Sequence, residues 1–198
     1  MYQYFVVYKP FNVLSQFTSQ EGKPTLKDHF KVPSSVYPVG RLDFDSEGLL
    51  ILTDDASLNK KLLDPRNGHE REYWVQVEGA IDRQAVERLG SGVVINVDGK
   101  PYTTRKCKAS IIGMETPPII PERIPPIRYR ASIPTSWISL VLTEGKNRQV
   151  RKMTAQVGFP TLRLIRYRIE RLDIKGWKPG MIQSMRKEEI YALLLGRG

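Results

Sequence analysis

The feature that most constrains this fold is a polar loop that runs directly into an apolar segment. Residues 40–48 begin and end with glycine, and residues 49–53 have the sequence LLILT. A short apolar run of this kind predicts a buried β-strand, and Pro38 and Val39 directly before Gly40 predict a turn ahead of the loop. The loop therefore stands on rigid structure while it carries three carboxylates, Asp43, Asp45 and Glu47.

Two interpretations of this acidic loop remain open from these residues alone. A carboxylate fixed on a loop beside a buried strand has the rigid placement that nucleophilic or acid–base chemistry requires. Arg41 would then keep it ionised by proximity. The structural alternative is a surface turn in which the carboxylates accept hydrogen bonds from backbone N–H groups.

Composition points to a polyanionic partner. The 198 residues carry a formal charge of +10, with a pI near 9.7. From 145 to 171 the only acidic residue is Glu170, and this clustering favours nucleic acid. A single cysteine, Cys107, excludes an internal disulfide and fits a reducing compartment. Because neither a membrane-spanning run nor a signal peptide is evident, we expect a cytoplasmic protein without membrane contact.

Hydrophobic periodicity predicts an alternation of strands and helices. Asp54 or Asp55 and Asp82 are expected to cap helices, and Asn147 is expected to cap another. The predicted strands are Gln3–Lys9, Val13–Phe17, Leu49–Thr53, Glu72–Val77, Ser136–Thr143 and Thr161–Leu172, with a hairpin over Val93–Val97 and Pro101–Ile112. One predicted helix ends near Leu63. The other predicted helices span Arg83–Leu89, Arg148–Val157 and Arg186–Leu195.

The helix that begins near Arg148 has an unusual first turn. Cations at a helix N-terminus oppose the helix dipole, so Arg148 is poorly placed for stability alone. A phosphate group at this end would be favourable, and this is where a functional interpretation first outweighs the structural one.

Three segments together resemble pseudouridine synthases. They are Gly40-Arg41-Leu42-Asp43 through Ser46-Glu47-Gly48-Leu49-Leu50, then Arg71-Glu72-Tyr73-Trp74-Val75, and Gly145-Lys146-Asn147-Arg148-Gln149-Val150-Arg151-Lys152-Met153. The most similar branch modifies ribosomal RNA and includes RsuA, RluB, RluE and RluF. The resemblance extends from Lys9-Pro10 to about Lys178-Pro179-Gly180, and its first and third motifs are long and specific.

The resemblance implies a role for each matching residue. Asp43 corresponds to the essential aspartate, Tyr73 to the active-site tyrosine, Arg151 to the basic residue that pairs with the aspartate, and Leu164 to a residue of the base pocket. Substrate binding is further expected from Lys9, Arg41, Asn147, Arg148, Gln149, Arg163 and Arg166. The family fold is α+β, a mixed, mainly antiparallel central sheet flanked by helices with a catalytic cleft across it. The family uses no cofactor, and no metal site is expected.

The sequence departs from the family pattern at three places. Arg71 stands where lysine is common, which changes donor geometry, and Glu170 stands where glycine is common, so the turn there is expected to differ. Many relatives have a small RNA-binding domain before the first strand. Because the first strand begins at Gln3, we expect one catalytic domain over 1–198, with two subdomains sharing one sheet as an alternative.

The expected reaction converts a uridine to pseudouridine in ribosomal RNA, with large-subunit RNA favoured. The target base must leave its stack, and a monomer is expected. A catalytically inactive RNA-binding or ribosome-assembly protein is the first alternative. A magnesium-dependent nuclease that uses Asp43, Asp45 and Glu47 is the second, because carboxylates two apart on an extended segment share a face. The role of the proline-rich stretch Thr116–Pro126 stays open.

Overall fold

The computed structural model describes residues 2–113, 120–127 and 133–196. In chain order the described elements are β1 (Tyr4–Lys9), α1 (Leu26–His29), β2 (Tyr37–Pro38), β3 (Glu47–Thr53), α2 (Ala56–Leu63), β4 (Arg71–Glu78), α3 (Arg83–Ser91), β5 (Val94–Val97), β6 (Lys100–Thr103), β7 (Lys108–Ile112), β8 (Thr135–Leu142), α4 (Gln149–Gln156), β9 (Thr161–Ile169), β10 (Leu172–Asp173), β11 (Ile182–Met185) and α5 (Lys187–Leu195). They form two compact units. Unit 1 comprises Met1–His69 with Ile165–Gly198, and unit 2 comprises Glu70–Leu164.

Unit 1 is built around β3, the strand that the apolar run predicts. Strand β3 pairs antiparallel with β1 and β2 and parallel with β9. Strand β11 pairs antiparallel with β1, and β10 with β9. All seven residues of β3 are buried, so the predicted buried strand is confirmed and begins two residues earlier, at Glu47.

Unit 2 is an antiparallel sheet covered by α3 and α4. Strand β8 lies between β4 and β7 and pairs antiparallel with both, and β5 and β6 form a separate hairpin. The apolar side chains of Val150, Met153 and Val157, on and just after α4, pack in the core of this unit. The prediction of an α+β fold with a mixed, mainly antiparallel sheet is confirmed, whereas the cleft stays a prediction.

Two helix starts follow the local capping signals. The Asp55 carboxylate accepts hydrogen bonds from the Ser57 and Leu58 N–H groups at the start of α2, and Asp82 accepts one from the Ala85 N–H at the start of α3. Both predicted caps are confirmed, with Asp55 the one of the two candidates used. A carboxylate near a helix N-terminus also interacts favourably with the dipole.

Three predictions of secondary structure are wrong. Residues Val13–Phe17 form no strand, because their backbone makes only scattered bonds, such as Leu14 N–H to the Pro24 carbonyl at 2.8 Å. The stretch Pro101–Ile112 is not one hairpin arm, since β6 pairs with β5 whereas β7 pairs with β8. Helix α4 begins after Arg148, so Asn147 is not its N-cap.

The proline-rich stretch Thr116–Pro126 falls partly outside the described residues, which resume at residue 120. Within residues 120–127 the Arg123 guanidinium donates to the carbonyls of Pro125 (2.8 Å) and Pro126 (3.2 Å). No described helix combines the length and apolar character needed to cross a bilayer.

Candidate active site

The loop that carries Asp43 is fixed on both sides of that residue. Before it, the Ser15 hydroxyl donates to the Leu42 carbonyl at 2.8 Å and accepts from the Leu42 N–H at 3.1 Å. After it, the Ser46 N–H donates to the Asp43 carbonyl at 3.0 Å. Leu42 and Ser46 are buried whereas Asp43 is half-buried, so the loop is anchored to the interior and the carboxylate keeps access to solvent.

Gly48 ends this loop because no larger residue fits there. Its φ of 109° lies in the region that favours glycine, and a Cβ atom would lie 2.4 Å from the Arg166 carbonyl oxygen. The strands β3 and β9 are paired in parallel at this point, with Gly48 opposite Arg166. The Arg166 side chain turns inward and donates from Nε to the Leu49 carbonyl at 2.8 Å.

Lys9 interacts electrostatically with the carboxylates of this loop, and it is fully buried, with 0% exposure. Its ammonium donates to the carbonyls of Pro10 at 2.9 Å and Val13 at 2.7 Å. Burial lowers the pKa of Lys9 to about 7, although the carboxylates of Glu47, Asp45 and Asp43 oppose that shift. Lys9 is therefore not a solvated residue at the end of its strand.

Arg41 belongs to the acidic loop of unit 1, and its predicted role is to interact with a carboxylate of that loop. Its side chain is exposed, and no ion pair joins it to another residue in the described part of the chain. The predicted interaction of Arg41 with Asp43 stays a prediction, and within this unit the buried Lys9 interacts electrostatically with the carboxylates of the loop. A contact between Arg41 and substrate stays a prediction.

In unit 2 the turn before α4 is organised by Glu144, which is only 6% exposed. Its carboxylate accepts hydrogen bonds from the Tyr102 hydroxyl (2.5 Å), the Arg105 N–H (2.9 Å) and the Gln149 side chain (2.7 Å). Burial alone would raise the pKa of Glu144, but these donors outweigh burial and hold it below the usual range. An ionised carboxylate is thus stable inside this unit.

Gln149 links this carboxylate to the turn. Its side-chain oxygen accepts from the Lys146 N–H at 2.9 Å, while its own N–H donates to the Lys146 carbonyl at 3.1 Å. Because Gln149 is buried with both ends of its amide engaged, we expect it to shape the turn, and its predicted contact with substrate stays untested. Arg148 adopts left-handed backbone geometry with φ 53°, which is uncommon for a residue with a Cβ atom.

The exposed part of this turn is basic. Lys146, Asn147 and Arg148 are exposed at the start of α4, and the Lys146 ammonium lies 4.8 Å from the centre of the Tyr102 ring. Arg151 follows two residues into α4 and is half-buried. Its pairing with Asp43 stays a prediction.

Tyr73, Leu164 and Arg163 also lie in unit 2. Tyr73 stands in β4 opposite Leu140 and packs half-buried against the core that contains Leu164. Arg163 is 5% exposed; it donates to the Pro121 carbonyl at 2.7 Å and lies 5.9 Å from the Trp137 ring. This contact makes Arg163 an anchor for the proline-rich stretch and a poor candidate for an exposed phosphate contact.

The arrangement does not favour the nuclease alternative. Glu47 is buried within β3 at 1% exposure, so it does not share an accessible face with Asp43 and Asp45. Among the residues that the structure describes, no three potential ligands are grouped as a metal site.

Glu170 adopts a backbone conformation that favours glycine. Its backbone is left-handed, with φ 49°, a conformation that glycine adopts without strain. The Glu170 carboxylate lies 2.9 Å from Nδ1 of His69, which is buried. The predicted difference between this turn and that of the family stays a prediction.

Comparison with known proteins identifies the family of this chain. Residues 3–156 match the family model described as RNA pseudouridylate synthase. A crystal structure of a pseudouridylate synthase superposes with a TM-score of 0.78 over 98% of this chain and 74% of that chain, at 23% identity, which shows the shared fold. The chain belongs to the RNA pseudouridylate synthase family and is an RNA pseudouridine synthase.

Its relatives include proteins named ribosomal large subunit pseudouridine synthase E. The protein of Vibrio parahaemolyticus is 47% identical over 87% of this chain and 69% of its own length. The protein of Xanthomonas axonopodis pv. citri is 50% identical over 81% of this chain and 82% of its own length. The predicted resemblance to this subgroup is confirmed, and the alternative of a protein without catalytic activity is wrong.

Proposed function

We propose that this enzyme isomerises one uridine of large-subunit ribosomal RNA, with Asp43 as its catalytic carboxylate. The observation that carries the proposal is the geometry of the Asp43 loop, in which a half-buried carboxylate projects between two fixed backbone positions. Such placement lowers the reorganisation that a nucleophile or base requires. The names of the relatives at 47–50% identity supply the class of RNA.

The reaction breaks the N1–C1′ bond of uridine, turns the base, and joins C5 to C1′, after which C5 loses its proton and N1 carries one. An ionised Asp43 adds to C1′ or assists loss of the 2′ proton. Tyr73 stacks on the base or accepts the C5 proton late in the reaction. Arg151 stabilises the charge of the carboxylate, and no cofactor takes part.

Recognition of RNA rests on the exposed basic turn. Lys146, Asn147 and Arg148 are solvent-exposed, and a helix start with cationic side chains suits a phosphate. The uridine is reached in a single-stranded or flipped-out state. The stretch around Pro121, which Arg163 anchors, contributes to the choice of uridine. The enzyme acts as a monomer in the cytoplasm, where its single Cys107 stays reduced.

Mapping pseudouridines in ribosomal RNA from a deletion strain tests this proposal. We expect one uridine of the large-subunit RNA to lose its modification and to regain it when the wild-type gene is supplied. The gene for Asp43→Asn serves as the control and should not restore it. An unchanged large-subunit map, or a loss confined to small-subunit or transfer RNA, would contradict the proposed substrate.

A further inference from the structure

We infer that Ser15 is a positioning residue that orients Asp43, an inference that rests on the proposed catalytic role of Asp43. Ser15 is 27 residues away from Leu42 in sequence, yet its hydroxyl both donates to and accepts from the Leu42 backbone. Ser15 is 3% exposed and Leu42 is 7% exposed. Water therefore competes little for these bonds.

The two bonds restrain the two peptide planes that flank Leu42. The Leu42 N–H belongs to the peptide that joins Arg41 to Leu42, and the Leu42 carbonyl belongs to the peptide that joins Leu42 to Asp43. Because peptide units are planar, one hydroxyl sets the direction in which the backbone enters Asp43. The Ser46 N–H holds the Asp43 carbonyl on the other side, so the backbone is restrained both before and after the Asp43 side chain.

The segment that carries Ser15 is itself fixed to the sheet. Lys9, at the end of β1, holds the Val13 carbonyl at 2.7 Å, and the Leu14 N–H donates to Pro24 at 2.8 Å. On the far side of Ser15, the Gln16 carbonyl accepts from the Leu26 N–H at 2.9 Å. Ser15 is therefore fixed relative to β1, and its two bonds to Leu42 fix the loop relative to the same strand.

Thr53 provides a matched control on the same unit. Its buried hydroxyl also donates to a backbone carbonyl, that of Gln3 at 2.5 Å, and accepts from a backbone N–H, that of Asp55 at 3.1 Å. Thr53 lies at the opposite end of β3 from the Asp43 loop. Thr53→Val and Ser15→Ala thus remove equivalent hydroxyl bonds, and only the second removes a restraint on Asp43.

The test measures tritium release from a large-subunit ribosomal RNA transcript labelled at C5 of uridine, at a temperature where each variant is folded. For Ser15→Ala we expect kcat to fall about 10- to 100-fold, because misplacement of a catalytic group by about an ångström has that effect. KM should stay within about twofold, as expected for loss of an interaction specific to the transition state. Thr53→Val should lower the melting temperature and keep kcat near wild type.

Wild-type kcat in Ser15→Ala, or equal losses of kcat in Ser15→Ala and Thr53→Val, would overturn the positioning role. If Ser15→Ala does not fold, Ser15→Cys gives the same test, because it keeps a side chain of similar size with weak hydrogen bonding. Equal tritium release by wild type and Asp43→Asn would instead overturn the proposed role of Asp43, and the inference about Ser15 would fall with it.

Discussion

The acidic loop of unit 1 and the basic turn of unit 2 are supported in opposite ways. The loop around Asp43 has a buried lysine beside it, Lys9, whereas the turn over residues 144–149 is built on a buried glutamate, Glu144. In each segment a buried side chain of the opposite charge hydrogen-bonds to the surrounding backbone, through the Lys9 ammonium in unit 1 and the Glu144 carboxylate in unit 2.

The two buried groups differ in how well their charge is compensated. Lys9 donates to two neutral carbonyls, and burial lowers its pKa to about 7 despite three carboxylates nearby. Glu144 accepts from three donors, and these keep its pKa below the usual range despite burial. The donors around Glu144 thus outweigh its burial, whereas the carbonyls and carboxylates around Lys9 do not.

Of the substitutions that test this comparison, replacement of Lys9 should have the largest effect. We expect Lys9→Met to lower the free energy of unfolding by about 3 kcal/mol, because two buried carbonyls lose their donor and the buried Glu47 loses a counter-charge. Activity should fall with it, since the segment that holds Leu42 loses its anchor. Chemical denaturation and tritium release measure the two losses, with the exposed Lys31→Met as the control.

The pH dependence of stability tests the Lys9 assignment independently. Because its folded pKa of about 7 lies below the usual value near 10.5, the unfolded chain binds the proton more tightly between these values. Wild-type stability should therefore rise from about pH 7 towards pH 10, and Lys9→Met should lack that rise. The same pH slope in both proteins would show that Lys9 is an ordinary exposed lysine in solution.

Glu144→Gln should have the next largest effect. The amide cannot accept all the hydrogen bonds that the carboxylate accepts, so we expect a loss of about 2 kcal/mol in stability and a higher KM for RNA. The wild-type contribution is present above the usual glutamate pKa and should disappear as the pH falls through the lower folded pKa. Acid denaturation measures how the stability of Glu144→Gln depends on pH, and Glu87→Gln, which replaces an exposed glutamate, is the control. Equal acid sensitivity would contradict a structural role for Glu144.

The exposed basic residues should give the smallest effect. Replacing Lys146 and Arg148 by alanine should weaken RNA binding several-fold and reduce the slope of log K against log salt by about 1 to 2. The fold should be unchanged because both side chains are exposed. Filter binding at several salt concentrations measures the slope, with Arg83 and Arg88 of α3 replaced as a control pair of equal charge. Equal slopes for the two double variants would place the RNA elsewhere.

Local signals were sufficient to predict the elements of this fold that depend on neighbours in sequence. The buried strand β3 and the caps Asp55 and Asp82 follow from short patterns. The errors came from non-local bonds. The cap of α4 is Arg148, in left-handed geometry, and not Asn147, and β7 leaves the expected hairpin because β8, more than twenty residues later, pairs with it.

The residues of the candidate site divide into the same two groups, those that local signals predict and those that depend on non-local bonds. Asp43 is found from its motif, whereas Ser15 bonds to a backbone 27 residues away, and a serine in an irregular segment leaves no pattern in sequence. Glu144 stands next to the third motif, and an acid beside a strongly basic stretch was the signal that could have identified it. Lys9 was predicted to contact substrate, and only the structure shows that its side chain is buried beneath the loop.

Asp43→Asn tests the central claim most directly. The substitution keeps the shape of the side chain and removes its charge, so the folded state and RNA affinity should be retained while pseudouridine formation falls below detection. Asp45→Asn, on the same loop, is the matched control and should keep substantial activity. The measurement is tritium release from RNA labelled at C5 of uridine, run beside a thermal melt. Near-normal release by folded Asp43→Asn would contradict the assignment of Asp43 as the catalytic carboxylate.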